Sequence, residues 1–446
     1  VPALLNRSPK QRSHKAKKSS RISAALAKYL EAEVWQESWP TTSSYTLKDT
    51  WKNEKRNWGH SLHSMASRSG SFPPALTDYF IQRFSKPGDT VLDPFSGKGT
   101  TALQACLSGR LGIGVDVAPE AYALTAAKTI RVDHDLAVKY LRSLKINSDP
   151  RKCSALLKQV PDNVKVFYHD GVLAQLVSLR EELAKDFSIG HLSYDDAPHY
   201  ELRKATKSQE YAQYWLGVLI GILHGSSELS LSVPCSHSFS MAPGYVKRYS
   251  EEHGLEKPKR DVIDCLIKRS EKLQEDGANT HQGRAILGSA MKLPESLTGT
   301  VDLMVTSPPY FTAQTYAWDN WLREWFMGFD FKDVRKQTLH TAVVDKYSEG
   351  MYQHLAEAYR VLKPGAWGFV VVGDVIKKNI TKLGKEKTKV EELIVTANII
   401  ATEAERAGFS VELIINDDIP PTSRYNSSFL KQDQGLKLDR IVCLRK

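Results

Sequence analysis

Two short stretches of this 446-residue chain hold residue types from which a small-molecule site can be built. The first, Val91-Leu92-Asp93-Pro94-Phe95-Ser96-Gly97-Lys98-Gly99-Thr100-Thr101, reads as a strand, a tight glycine turn and the start of a helix. Such a turn brings backbone N–H groups and a helix N-terminus close to a nucleotide-like ligand. Asp116 ends the next apolar run, about 20 residues beyond the glycines, where a carboxylate can hold ribose hydroxyls. Three ligands compete for the turn. A phosphate loop needs G-x-x-x-x-G-K-[ST], but Leu92 stands where its first glycine belongs and Gly99 follows Lys98. A dinucleotide turn needs G-x-G-x-x-G/A, a spacing that Gly97, Gly99 and Ala102 satisfy, although the acidic Asp93 is a poor neighbour for a pyrophosphate. That carboxylate suits a cationic amino group, such as the methionyl ammonium of S-adenosylmethionine. A glycine turn with no ligand is the plain structural alternative.

The second stretch is Ser307-Pro308-Pro309-Tyr310, directly after the apolar run Val301–Thr306. In open α/β sheets, ligands bind at the carboxyl ends of strands. Two consecutive prolines donate no N–H and keep the chain extended, so neighbouring carbonyls can face a substrate. Tyr310 adds a flat face on which a base can stack. An exocyclic amine of cytosine or adenine is a poor nucleophile, because its lone pair is delocalised into the ring. Acceptors around that NH₂, here the Ser307 hydroxyl and the Ser307 or Pro308 carbonyl, favour a more tetrahedral nitrogen able to attack a methyl group. In isolation the tetrapeptide reads better as a Pro-Pro turn with a surface tyrosine; its place after a buried strand, and the cofactor-type turn elsewhere in the chain, favour the site.

These turns require strands to carry them. Val91–Asp93, Leu111–Asp116 and Val301–Thr306 read as buried parallel strands, with helices at Thr100–Ser108 and Ala118–Ile130 after the first two. Gly109 caps the first of those helices. The alternation resumes with a helix at Met351–Leu362, a strand at Ala366–Gly373, a helix at Glu391–Ala407 and a strand at Phe409–Ile415. A final strand, Leu438–Leu444, is close enough in sequence to pair antiparallel with it. Residues 131–283 break the rhythm and read as an inserted module outside the sheet. Within them, Tyr214–Leu223 is the longest apolar run, too short for the ~18 residues of a membrane span. Its Gly217 and Gly221 suit a buried helix closely approached by another backbone. The chain thus divides into 1–45, a basic extension; 46–130, the cofactor half; 131–283, the insert; and 284–446, the catalytic half.

Together, DPFSGKGTT (Asp93–Thr101) and TSPPY (Thr306–Tyr310) resemble the amino-group DNA methyltransferases, which make N4-methylcytosine or N6-methyladenine. His63–Leu76 is similar to the segment with which that family covers the methionine end of the cofactor. Gly288–Ala290 resembles its strand end at the adenine. The resemblance covers 46–130 and 284–446. It implies a Rossmann-like sheet of seven strands, one antiparallel, and S-adenosyl-L-methionine as cofactor. It also implies cofactor contacts from Phe72, Pro73, Asp93, Pro94, Phe95, Ser96, Gly97, Gly99, Thr100, Asp116, Ser289 and Ala290. Ser307, Pro308, Pro309 and Tyr310 would hold the target base, turned out of the duplex. Ser307 departs from the Asp or Asn of many relatives and leans toward cytosine N4 over adenine N6. The insert becomes the natural target-recognition region.

Charge points the same way. The chain carries 61 Lys and Arg against 51 Asp and Glu, and eight of the basic residues precede Glu31, the first acid. A basic arm on a near-neutral body suits a phosphate backbone, or serves only as a solvated tail. Tyr245, Lys247, Arg248, Lys259 and Arg260 mix cations with an aromatic as duplex contacts would, or line a solvated loop. The arm has no apolar segment of a secretory signal, and the chain, opening on Val1, is expected to lack its natural start. Cys106, Cys153, Cys235, Cys265 and Cys443 form no C-x-x-C pair, which suits free thiols in a reducing cytosol and no metal site. Cys235, in Pro-Cys-Ser, lacks the partner sequence of a carbon-5 methyltransferase. No E-x-K nuclease signature is present, so any restriction activity is expected from a separate partner. Trp318, Trp321 and Trp325 form an apolar stripe read as core, with Trp318 the one member near enough Tyr310 to rim a base pocket. An RNA-base methyltransferase and a non-catalytic DNA binder are the other readings.

Overall fold

Apolar side chains alternate along the buried strands, and the alternation sorts them onto two faces of one sheet. Val91, Leu303, Val305 and Phe369 face one side; Leu92, Met304, Val370 and Val372 face the other. The computed structural model describes residues 33–34, 45–46, 51, 54, 58–67, 71, 73–186, 199–201, 205–235, 242–279, 281–311, 316–383, 386–418 and 438–446. The basic arm and Phe72 lie outside the described residues. The sheet comprises β1 (Thr90–Asp93), β2 (Leu111–Asp116), β3 (His199–Tyr200), β4 (Arg284–Gly288), β5 (Val301–Thr306), β6 (Leu362–Gly373), β7 (Ser410–Asp418) and β8 (Leu438–Arg445). Their spatial order is β7-β8-β6-β5-β1-β2-β4-β3. Pairing is parallel from β4 through β2, β1 and β5 to β6, and β8 runs antiparallel to both β6 and β7. The seven expected strands, one reversed, are therefore present. The two-residue β3 adds an antiparallel eighth at the edge, and it comes from the insert.

Helices cover both faces: α1 (Pro74–Phe84), α2 (Thr100–Leu107), α3 (Pro119–Thr129), α4 (Lys207–Ile222), α5 (Pro243–Glu252), α6 (Val344–Val361) and α7 (Thr396–Ala407). Leu355 of α6 and Ile400 of α7 pack on Met304, Val370 and Val372. On the opposite face Phe80 of α1 is fully buried and stacks on Phe369 at 4.1 Å between ring centroids. Truncating such a ring to alanine costs about 3–5 kcal/mol.

The insert is helical and closely joined to the sheet. From Tyr214 to its end α4 is apolar nearly all round, which requires burial on every side. A Cβ at Gly217 would collide with Ala127 of α3, and one at Gly221 with the Met65 backbone, so the close approach read from their spacing is real. One continuous core joins α4 to Met65, Tyr122, Ala285 and Leu287, and to Trp321, Leu322 and Phe326 from beyond β5. Two expected helices have different bounds. The α6 helix begins at Val344, and α7 begins at Thr396 instead of Glu391. Residues 391–394 end a hairpin of Val375–Leu383 with Glu386–Ile394. The β-branched Val390, Ile394 and Val395 favour extended backbone there. Among the described residues no helix is long and apolar enough to cross a membrane, and all five cysteines are buried and unbonded.

Candidate active site

The carboxyl ends of β1 and β5 lie side by side, and each leads into one of the turns singled out by sequence. After β1 the chain turns through Asp93–Gly99 into α2. Gly99 sits at φ +76°, and a Cβ there would meet the Thr125 backbone at 2.8 Å, so side chain and conformation both demand glycine. Hydrogen bonds fix the turn from several directions. Gly97 N–H donates to Asp116 Oδ2 at 2.8 Å, while Asp116 Oδ1 accepts from Ala118 N–H at 2.9 Å. Ser96 N–H donates to the Val115 carbonyl, and Lys128 Nζ reaches the Lys98 carbonyl at 2.7 Å. Lys128 is fully buried, and desolvation first, then the Lys98 charge, holds its ammonium well below the usual lysine range.

Asp93 is 2% exposed and sits where the two turns meet. Its Oδ1 accepts from the Thr306 hydroxyl at 2.6 Å and from Phe95 N–H at 3.1 Å. Burial raises its carboxyl to about 7, against the lowering effect of those bonds. A cation brought to this carboxylate would offset its desolvation.

The turn after β5 is less committed. Tyr347 Oη, from α6, donates to the Pro309 carbonyl at 3.1 Å, and Phe311 is buried beneath it, edge-on to Tyr347. Tyr310 is half-buried and its hydroxyl donates to Asp439 Oδ1 of β8 at 3.3 Å. Among the described residues nothing bonds the Ser307 hydroxyl, and no backbone N–H ends on the Ser307 or Pro308 carbonyl.

One cleft takes in both turns. Asp93, Pro94, Phe95, Ser96, Gly97 and Thr100 line one wall, and Ser307, Pro308 and Pro309 line the other. Asp116, Ala118 and Glu120 close one end, with Ala290 and Met291 alongside. Sequence reasoning missed Glu120 and Met291. It also missed Val334, Gln337, Thr338 and Leu339, which cover the mouth with Ala317. Val334 and Ala317 form a small apolar cluster with Ala118 and Ala121 at the start of α3. Nothing in a run of mixed charge such as Phe331–Gln337 signals that contact. Pro73, Gly99, Ser289 and Tyr310 are not among the lining residues; of the described residues of His63–Leu76, Ser71 reaches the cleft. His63 itself is buried against Gln104 at 3.1 Å, and desolvation first, then Lys128, brings its imidazole down to about 3.

A family comparison decides what kind of chain holds this cleft: a family described as DNA methylase, of the N6/N4 amino-group type, matches residues 7–128 and 301–428. The chain belongs to that family. The two matched stretches carry one turn each and leave the helical insert between them. Proteins of this methylase family draw their methyl group from S-adenosylmethionine, so that is the cofactor the cleft has to fit. Its donor set does fit. A buried carboxylate stands at one place for a cationic amino group, two further carboxylates stand at Asp116 and Glu120, and Phe95, Ala118 and Ala290 give apolar surface between. Thr100 Oγ1, buried in the wall, has no hydrogen-bond partner among the described residues.

The type II methyltransferase M.MjaII of Methanocaldococcus jannaschii is 34% identical over 19% of this chain and 16% of its own. The type II methyltransferase M.BsoBI of Geobacillus stearothermophilus is 22% identical over 63% of this chain and 55% of its own. The chain thus spans about half, or less, of the curated relatives it matches. A SAM-dependent methyltransferase structure from Methanosarcina mazei is 10% identical, over 82% of this chain and 96% of that one, at a TM-score of 0.30. That is too loose a likeness to transfer anything.

The proposed duplex contacts are scattered on the insert. Tyr245, Lys247 and Arg248 are exposed on α5, where Tyr245, Tyr249 and His253 form a ladder of stacked rings. Lys259 is exposed on the following loop. Arg260 differs: its guanidinium turns to the Ser227 and Ser230 carbonyls of the segment that follows α4. Of the tryptophan stripe, Trp321 is core, as read, whereas Trp318 is 38% exposed against Phe331.

Proposed function

We propose that this chain is a site-specific DNA methyltransferase acting on the exocyclic N4 amine of a cytosine turned out of duplex DNA. The observation that carries the reading is the meeting of the Asp93 turn and Ser307–Pro309 in one cleft. When bound, S-adenosylmethionine supplies an electrophilic methyl group. In this reading Asp93 pairs with its amino group, Asp116 and Glu120 face its sugar, and Pro94, Phe95, Ser96, Gly97, Thr100 and Ala290 shape the walls. Pro73, Gly99 and Ser289 support those residues from behind.

At the other wall the protein works on the amine. The Ser307 hydroxyl and the Ser307 and Pro308 carbonyls accept hydrogen bonds from the NH₂, drawing its lone pair out of conjugation with the ring. That they have no partner among the described residues supports this role, because a spent acceptor could not supply it. Tyr310 stacks on the base, held by Asp439, and Pro309 is held by Tyr347. The base leaves the helix because its amine cannot be reached inside the stack. The insert, residues 131–283, serves as the target-recognition region, with Tyr245, Lys247, Arg248 and Lys259 toward the duplex. Such an enzyme works in the prokaryotic cytosol, with any restriction nuclease a separate protein.

Digesting methylated duplex to nucleosides and separating them by mass spectrometry tests the reading. N4-methylcytosine is expected. N6-methyladenine as sole product would overturn the choice of base, and an unmodified duplex the activity itself.

A further inference from the structure

Four large apolar side chains stand exposed among the described residues: Leu136, Tyr245, Trp318 and Val343. Single exposed apolar groups are ordinary on a protein surface. Trp318 differs from the other three in its place and in its support. The residue before it, Ala317, is buried and lines the cleft, in a small apolar cluster with Val334 and Ala118. Trp318 also follows Tyr310 of the open turn by only eight residues.

The indole is held on two sides. Trp321 lies within 25° of parallel to it, at 6.3 Å between ring centroids, and Phe331 meets it edge-on at 5.1 Å. Both supports are themselves fixed. Trp321 is 5% exposed and packs edge-on to Phe167 of the insert at 5.7 Å. Phe331 opens the short helix Phe331–Gln337, whose Val334 is fully buried at the cleft mouth. Buried Arg323 fastens the same segment to the insert, donating to Asn320 Oδ1 at 2.7 Å and to the Ile220 carbonyl of α4 at 3.0 Å. A line of rings therefore runs from the insert core to the neighbour of a cleft residue, and it ends on an indole that is 38% exposed. A tryptophan that only filled the core would be covered, as Trp321 is.

A base that leaves a duplex gives up its pairing and stacking, and its neighbours in the strand are left with an uncovered face. An apolar side chain inserted at that step covers the face and recovers part of the lost stacking. An aromatic ring does this for any neighbouring base, because every base has a π-face. The ring must be flat and already in place, since ordering a loose one would offset what stacking returns. We infer that Trp318 is a positioning residue whose indole stacks on the duplex face uncovered when the target base turns out. The inference rests on the DNA methyltransferase reading and adds to it the group that holds the opened duplex. Such a contact favours the open duplex and carries little sequence choice.

The test is the single-turnover rate of methylation, with enzyme and cofactor in excess, on two duplexes that carry a site the wild type methylates. In one the target base is paired; in the other the base opposite it is removed. Trp318→Ala should lower the rate on the paired duplex about tenfold or more, the worth of one base–aromatic stack. Without an opposite base the target leaves the stack more easily, and the loss should shrink to within about threefold. Trp318→Phe keeps a flat ring and should stay within about threefold of wild type on both duplexes. Trp318→Leu, apolar but not flat, should behave as Trp318→Ala. Cofactor affinity by calorimetry should stay as in wild type in all three. An equal loss on both duplexes, no loss on either, or a Trp318→Leu protein as fast as wild type would overturn the stacking role and leave the enzyme reading standing. A loss of cofactor affinity in step with rate would overturn it too, by making the ring a prop of the cleft. A wild-type protein that methylates no duplex would overturn the functional reading, and the inference with it.

Discussion

The two turns at the carboxyl edge of the sheet are built on opposite plans. Between Asp93 and Gly99 nearly every polar group is committed: Gly97 N–H to Asp116, Ser96 N–H to Val115, the Lys98 carbonyl to Lys128, Asp93 to Thr306. Between Ser307 and Tyr310, Tyr347 holds the Pro309 carbonyl and Asp439 the Tyr310 hydroxyl. Among the described residues the Ser307 hydroxyl and the Ser307 and Pro308 carbonyls are left unspent. Prebuilt rigidity suits a subsite that must hold a whole cofactor in one pose. Unspent acceptors suit a subsite whose bonds have to form as the amine changes shape. The difference teaches which turn binds and which acts, and each variant below moves one without the other.

The largest effect is expected at the committed turn. Asp93→Ala should weaken cofactor binding about a hundredfold, the upper range for a lost hydrogen-bonded charge, while the protein stays folded. Isothermal calorimetry with an unchanged dissociation constant would remove Asp93 from the cofactor site. At the open turn, Ser307→Ala should lower turnover about 10–100-fold with cofactor affinity intact. Tyr310→Ala should do likewise and leave duplex affinity nearly unchanged. If either variant loses cofactor affinity in step with rate, the division of labour between the turns is wrong.

A smaller, graded effect separates the turns by pH. Burial holds the Asp93 carboxyl at about 7 against an ordinary 3.8. Its ionised form is what a cationic ligand needs, so below pH 7 a proton must leave before binding. Cofactor affinity should rise by up to about tenfold per pH unit as pH climbs toward 7, then level. Stability of the ligand-free protein should run the other way. The folded state keeps this proton more tightly than the unfolded chain, so stability falls as pH rises from about 4 to about 7. Asp93→Asn should flatten both trends. A calorimetric pH series in which the variant keeps the wild-type slope would assign the titration elsewhere.

Both turns were legible in the sequence because each is a local rule: glycines where backbone must turn left-handed, prolines where N–H groups are unwanted, at the ends of apolar runs. Six strands and one reversal followed from the same alternation, and the count of seven from the family resemblance. Residues legible only through the folded chain were missed. Tyr347 lies in the first turn of α6, 38 residues from the carbonyl it holds. Lys128 is a cation by sequence, yet the folded chain buries it fully against the Lys98 carbonyl. Glu391–Ile394 reads as the start of a helix and is extended because it pairs, 13 to 19 residues back, with Val375–Lys378. Arg260 sits among cations and reads as a duplex contact, yet its guanidinium is engaged by carbonyls of the segment after α4. Pairing and burial are decided by what lies across the gap, and composition does not encode it.

The subtlest break in the comparison is at Tyr347. Its ring is 1% exposed and packs edge-on to Phe311 at 5.5 Å, and its hydroxyl supplies the hydrogen bond that holds Pro309. Tyr347→Phe keeps the ring and removes only that donor. A net loss of about 1 kcal/mol in stability is expected, readable as a small drop in melting temperature. The rate should fall several-fold, because a slackened Pro309 lets the Ser307 and Pro308 acceptors drift from the amine, and misplacements well under 1 Å are costly in an oriented site. Cofactor affinity should not move, since no bond of the Asp93 turn passes through Tyr347. Equal losses of cofactor affinity and rate would show that α6 braces the two turns as one unit. A rate loss alone would show that the acting turn is held separately from the binding one.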